Sequence, residues 1–311
     1  MTKKVLLFTL ILIVLIALPV FYLNGIIPKK EIQLLKSGYV QKTFDKSDKK
    51  KVTYQVTSKK PRDWVELKKI SVYAKKAILL SEDWAFYEHD GLDYNQLQEA
   101  IEEGIAGKRV RGASTISQQV VKNVFLTPKK TLWRKLKESV ITLYMERELS
   151  KDKIFEVYLN IAQWGDGVYG LRSASSYYFN KHPSKLNPKE SAFLAMLLPS
   201  PVRYGESFRQ RKLTDFGKKT VSSVIEKMRL AKVLSAKEAE YWLSRDLFRK
   251  SLKAIPSKKF KYSKRKLLSD GNELDAYYAQ DPDAVVKENI EYDDDSLDEA
   301  FEIKDQEFSL D

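Results

Sequence analysis

Cysteine is absent from the 311-residue chain, which excludes disulfides and any thiolate metal site but leaves the cellular compartment open. Histidine is nearly absent as well. With only His89 and His182 present, a metal ligand at His89 would have a single distant histidine to pair with. Long stretches of strand-like alternation are missing, and the length leaves room for one sizeable domain plus appendages but for no second large enzyme domain. Acidic residues are heavily outnumbered before residue 270. The last 42 residues, 270 to 311, hold sixteen Asp or Glu against two Lys, net −14, so the rest of a +13 chain carries +27. A basic surface of that size serves nucleic acid, an anionic membrane or an acidic substrate.

What is present first is an apolar run. Val5 to Leu23 carries no charge, follows Lys3 and Lys4 and precedes Lys29 and Lys30. At 1.5 Å per residue it reaches roughly 28 Å, close to a hydrocarbon core. A cleaved signal peptide would be shorter and end in small residues, unlike Pro19-Val20-Phe21-Tyr22-Leu23, so an uncleaved transmembrane helix is expected over residues 5–24 behind a short flank, 1–4. Lysines on both sides leave its orientation open. An anchor so close favours membrane and acidic substrate over nucleic acid as partners of the basic face.

Residues 25–55 read as a Lys-rich linker, with Tyr39, Val40, Val52, Tyr54 and Val56 at strand-like spacing for one short hairpin. Residues 56–250 read as the catalytic domain. From Trp64 the period turns helical. Ile70, Ala74, Ala77 and Ile78 share a face, as do Ile116, Val120 and Val124, and then Leu132, Leu136, Val140 and Leu143. Asn160 to Gly170 reads as a loop. Further helices are expected over Leu171–Phe179, from Asn187-Pro188 to Leu198 where Pro199 and Pro201 stop it, from Thr214 to Leu230 and from Ser235 to Phe248. Residues 251–311, basic and then acidic with few apolar positions, read as a disordered tail. The class is all-α.

Three clusters carry chemistry. Glu82 stands where a helix ends, as Asp90-Gly91 signals. The negative end of the helix macrodipole and burial between Trp84 and Phe86 would both raise its pKa, as a general base working near neutrality requires. Alone, Glu82-Asp83 reads rather as a solvated acidic pair. Thr115 with Gln118 makes a capping box, after which Thr115, Gln119 and Lys122 share one face of a helix whose N-terminus favours phosphate. The plain alternative is an ordinary amphipathic helix. Arg134 and Lys135 precede Glu138 by four and three residues, so all three can meet. On a surface that is a salt bridge worth under about 1 kcal/mol, whereas in a cleft it aims cations at a leaving group.

Taken in order, the blocks resemble signatures of the peptidoglycan glycosyltransferases. They are Glu82-Asp83-Trp84-Ala85-Phe86-Tyr87-Glu88-His89-Asp90-Gly91-Leu92-Asp93, Gly112-Ala113-Ser114-Thr115-Ile116-Ser117-Gln118-Gln119-Val120-Val121-Lys122-Asn123, Lys130 to Glu138, Lys153 to Phe179, and Glu190 to Pro201. The resemblance runs from about Trp64 to Tyr204, and the fourth block is similar to the monofunctional branch. It implies a lysozyme-like helical fold and polymerisation of lipid II into β-1,4 glycan strands, with inversion and release of undecaprenyl pyrophosphate.

By this resemblance Glu82 deprotonates the acceptor's 4-hydroxyl, Asp83 and His89 support it, and Glu138 is the second catalytic glutamate. Ser114, Thr115, Gln119, Lys122, Lys130, Arg134 and Lys135 would bind substrate and pyrophosphate. Lys130 departs from the family's usual Arg, exchanging a bidentate contact for a point charge. Gln163 replaces a glutamate common there. No cofactor is required, although a divalent cation, Mg or Mn, has a place beside a pyrophosphate. The resemblance puts the catalytic domain on the outer, periplasmic side of the cytoplasmic membrane, with lipid II and the growing glycan chain as partners, cell-wall synthases or division proteins as further ones, and no nucleic acid. Gly104 to Gly112, with three glycines and three cations, is expected to be a mobile lid over the donor site.

The alternatives are a lysozyme-like peptidoglycan hydrolase, in which two carboxylates cleave the glycan, and an inactive cell-wall scaffold. The phosphate-directed blocks speak against the first and intact Glu82 and Glu138 against the second. Gly165 to Gly170 matches G-x-G-x-x-G, but no strand precedes it and no βαβ unit surrounds it. Ser47, Ser150 and Ser263 begin S-x-x-K tetrads and Lys36-Ser37-Gly38 mimics K-T-G, in an order and surroundings that do not suit a penicillin-binding domain.

Overall fold

The first elements among the described residues are helix α1 (Lys29–Leu35) and an antiparallel hairpin, β1 (Tyr39–Phe44) and β2 (Val52–Thr57), in register from Tyr39 opposite Thr57 to Phe44 opposite Val52. The computed structural model describes residues 25–44, 52–105, 114–127 and 131–248. The expected transmembrane helix, the Ala106 to Gly112 part of the expected lid, Lys130 and the acidic tail lie outside these residues. Among the described residues no helix is long and apolar enough to cross a membrane. The chain divides into two compact units, one through Gly205 and one from Glu206 onward.

The first unit is mainly helical: α2 (Val72–Glu82), α3 (Tyr94–Ile105), α4 (Ile116–Phe125), α5 (Leu132–Glu148), α6 (Lys151–Ile161), α7 (Leu171–Phe179), α8 (Pro188–Leu197) and a short α9 (Pro201–Tyr204). Its centre is α8, buried at every position from Pro188 to Leu197. A helix apolar on nearly all sides has to be surrounded, and α2 lies against it. Asn187 and Glu190 close a capping box at its start, and Lys181 Nζ donates to Glu190 Oε1 at 2.6 Å. Pro199 and Pro201 were expected to end it; α8 stops at Leu197 and Pro201 then opens α9. The expected loop 160–170 instead completes the last turn of α6 and forms a small hairpin, β3 (Gln163–Gly165) with β4 (Val168–Tyr169).

Helix α6 is the strut to which the entering chain is fastened. Trp64 Nε1 and Leu67 N donate to the two carboxylate oxygens of Glu156 at 2.9 and 2.8 Å, while Asn160 exchanges bonds of 2.8 Å with both backbone groups of Val65. The first hairpin reaches the end of α6 through Tyr54, whose hydroxyl donates to Ile161 O at 2.9 Å. Lys42 donates to Tyr169 O at 2.9 Å and pairs with Asp63.

One expected face is wrong. In α5 the stripe Leu132, Leu136, Val140 and Leu143 was expected inside, but Leu132 is 92% and Leu136 46% exposed, and the buried positions are Glu138, Ile141, Thr142 and Met145. Periodicity ranks apolar residues inward; here Glu138 turns inward because Arg134 and Lys135 neutralise it from the same helix, which rotates the apolar end of the stripe outward.

The second unit contains α10 (Glu206–Arg209) and two longer helices, α11 (Asp215–Leu230), capped by Thr214, and α12 (Ala236–Ser244), capped by Ser235 and packed on α11.

Candidate active site

Glu82 is the last residue of α2, and Asp83 at φ −166° turns the chain out of the helix. The Asp83 carboxylate is buried and spends both oxygens on the fold. Oδ1 lies 2.9 Å from His89 Nε2, and Oδ2 accepts the backbone N–H of Ile116, the first residue of α4, at 2.8 Å. A carboxylate at that helix start satisfies an orphan donor and the positive end of the dipole together. His89 Nδ1 accepts from Gly91 N at 3.0 Å, which places its ring proton on Nε2, facing Asp83. Both nitrogens are thereby committed to the loop between α2 and α3.

Helix α4 opens as its sequence predicts, with the reciprocal capping box of Thr115 and Gln118. Thr115 is itself buried, and its hydroxyl donates to Gly91 O at 2.7 Å while accepting from Gln118 N. It closes the loop-to-helix junction. Ser114 Oγ accepts from Lys135 Nζ at 3.1 Å, bringing the start of α4 to α5.

Gln119 faces Glu82: its Nε2 donates to Glu82 Oε2 at 3.0 Å. The Tyr158 hydroxyl of α6 reaches the same oxygen at 3.4 Å. The aromatic residue over Glu82 is therefore Tyr158, 1% exposed, and not the neighbouring Trp84, which is 47% exposed. Glu82 is half-buried by surface area, but protein surrounds its carboxylate. Desolvation is the largest influence and pushes its pKa up, against the opposing pull of Gln119, Tyr158 and Lys122.

Across the site, Glu138 is 1% exposed and is gripped by Arg134 Nη1 at 2.7 Å and Lys135 Nζ at 2.5 Å. Arg134 Nε is buried without an acceptor among the described residues. Lys122 sits at the rim, exposed in surface area yet flanked by protein. Desolvation lowers its pKa first, and it feels Glu138 and Glu82 as attractive neighbours and Lys135 and Arg134 as repulsive ones. The structure thus links Glu82, Gln119, Lys122, Arg134, Lys135 and Glu138 through hydrogen bonds, ion pairs and mutual electrostatic influence. Gln163 stays outside this group, donating to Gly165 O at 3.1 Å. Among the described residues no group of three or more His, Asp or Glu stands ready to hold a metal ion.

Two further residues complete the arrangement. Glu146 Oε1 accepts from Lys151 Nζ at 2.9 Å and from Ser117 Oγ, and Lys151 also donates to His89 O and lies 4.5 Å from the Phe86 ring centre. This ion pair ties α5, α6, α4 and the His89 loop together behind the site. Sequence reasoning missed it because the groups the pair is bonded to, Ser117 and His89, lie 29 and 62 residues away from Glu146 and Lys151, and neither charge is odd in its local context. Tyr158 was missed for the same reason, 76 residues from its partner.

The sequence model of the family described as Transglycosylase matches residues 49–229. Among curated relatives, the chain is 45% identical over 150 residues to the biosynthetic peptidoglycan transglycosylase of Methylobacillus flagellatus, covering 48% of this chain and 65% of that protein. It is 43% identical over 160 residues to the protein of the same name from Dechloromonas aromatica, covering 51% and 68%. With that of Chromobacterium violaceum the identity is 46% over 144 residues, covering 46% and 63%. The aligned part thus spans about two thirds of these relatives.

Proposed function

The chain belongs to the transglycosylase family, and from that premise we propose that it is a peptidoglycan glycosyltransferase that polymerises lipid II with release of undecaprenyl pyrophosphate. The observation that carries the reading is the opposition of two charge environments in one site. On one side stands Glu82, a desolvated carboxylate with raised pKa. On the other stand three cations: Arg134 and Lys135, paired with the buried Glu138 of their own helix, and Lys122 of α4, which feels the same carboxylate.

In the reaction, Glu82 takes the proton of the acceptor's 4-hydroxyl, whose oxygen attacks the donor's anomeric carbon. The bond to the pyrophosphate oxygen breaks, and its electron pair leaves with the lipid pyrophosphate. Pyrophosphate is a good leaving group once its charge is neutralised, so the departing side needs fixed cations more than a strong acid. Arg134 and Lys135 bring such charge to the side of Glu138. Glu138 holds Arg134 and Lys135 in place and stops their charges from repelling each other apart. An anchor formed by Val5 to Leu23 would keep this site at the bilayer surface that carries both lipid-linked substrates.

The purified protein is expected to convert labelled lipid II into glycan polymer, and Glu82→Gln to lower the rate by at least about 10²-fold with the fold intact. Shortening of preformed glycan in place of polymer growth would identify a hydrolase and overturn the reading. Equal rates for wild type and Glu82→Gln would remove Glu82 from its role.

A further inference from the structure

Two donors from different helices converge on one oxygen of Glu82. Gln119 Nε2 of α4 lies 3.0 Å and the Tyr158 hydroxyl of α6 lies 3.4 Å from Oε2, and no bond to Oε1 is present among the described residues. Resting on the polymerase reading, we propose that Tyr158 is a positioning residue for the base: together with Gln119 it holds Glu82 Oε2, so that Oε1 is the oxygen that receives the acceptor's proton.

The geometry has a chemical consequence. A carboxylate with one oxygen occupied by two donors keeps its free lone pairs on the other, and it cannot rotate without breaking both bonds. Tyr158 is 1% exposed, so its hydroxyl is out of reach of substrate and acts only through Glu82. Burial and the facing carboxylate push the phenol's pKa well up, so Tyr158 stays a donor throughout the working range and is no rival base. The 3.4 Å contact is long for a hydroxyl donor, as hydrogen bonds to catalytic groups often are before substrate closes the site. Helix α6 is a firm support for it. Two turns of the helix carry Glu156 and Asn160, which fix the segment 64–67, and Tyr158 lies between them.

The charged and titratable groups acting on Glu82 are Asp83 on its own loop, Lys122 on α4 and Tyr158 on α6. Helix α8, packed against α2, presents Glu190 elsewhere, to Lys181 and the Asn187 cap. Both donors favour ionised Glu82, so removing either must raise the pH at which the base becomes effective.

The test is the pH dependence of lipid II polymerisation by the full chain. Tyr158→Phe keeps the ring and the packing. It should move the acid limb of the rate profile upward by about one pH unit, equivalent to about a tenfold loss on the acid side, with KM for lipid II unchanged and the rate recovering toward the wild-type plateau at high pH. Gln119→Met, which removes the shorter contact, should move the limb in the same direction. A purely structural role for Tyr158 would lower the plateau and leave the limb where it is, and that result would overturn the proposal, as would a limb unmoved in both variants. Glu82→Gln run alongside separates the two readings. If wild type polymerises and Glu82→Gln does not, an unmoved limb in Tyr158→Phe defeats the positioning role alone, whereas absence of polymer from wild type defeats the function.

Discussion

Glu82 shows how a single residue trades stability for reactivity. Its folded pKa is raised, chiefly by desolvation, so the penalty for ionising it in the fold is absent below the ordinary carboxylate range and grows as pH rises through the raised value. Glutamine at this position does not titrate. The melting temperature of Glu82→Gln relative to wild type is therefore expected to be higher at pH 8 than at pH 4, and a difference that is constant with pH would contradict the burial of the ionised form. Glu138 is the opposite case, a buried carboxylate already neutralised by Arg134 and Lys135. Removing one partner of a buried pair costs about 3–5 kcal/mol when nothing replaces it. Arg134→Met should cost less than that because Lys135 remains, and adding Glu138→Gln should recover much of the loss in chemical denaturation, since the uncompensated charge is then gone.

At the scale of elements, the site is a junction of helix ends and faces. The end of α2 supplies Glu82, the start of α4 is tied to it by Asp83, and α5 and α6 present Glu138 and Tyr158. Gly91 is the point where the connecting loop meets α5. Its φ is +90°, and a Cβ there would come within 2.7 Å of Glu146 Cγ and Thr142 Cγ2. Its N–H serves His89 and its carbonyl serves Thr115. Gly91→Ala is thus strained in both backbone and packing, and is expected to lose about 1–3 kcal/mol of stability and to lower polymerisation as His89 and Thr115 lose register. Wild-type melting and activity in that variant would refute the account. The Thr115 cap of α4 and the starts of α11 and α12 at Thr214 and Ser235 were readable from sequence, because a cap is a contact within four residues.

For the whole molecule the governing quantity is charge. The segment from 270 onward carries −14 and the remainder +27 on one chain. At low salt the acidic segment should compete with anionic lipid and pyrophosphate for the basic surface, and screening above about 0.1 M should weaken that competition. Truncation after Lys266 is expected to raise affinity for anionic vesicles at about 0.02 M salt, with the gain shrinking as salt is added. Equal affinities for the two forms at low salt would leave the acidic segment to another role.

The sequence by itself determined the helical class, most helix boundaries and the family, and it singled out the three clusters of candidate site residues. Each of these is a property of short windows: a period, a cap, or a motif whose members lie within one or two turns. Only the tertiary structure decided which atoms meet. That α5 buries Glu138 and exposes Leu132 depends on local neutralisation outweighing apolar periodicity. That Gln119 serves Glu82, that Thr115 locks Gly91, that Tyr158 reaches Glu82, and that the Glu146–Lys151 pair holds Ser117 and the His89 loop depends on contacts between segments remote in the chain. Such contacts are set by the packing of whole helices, and packing leaves no mark in the spacing of neighbouring residues.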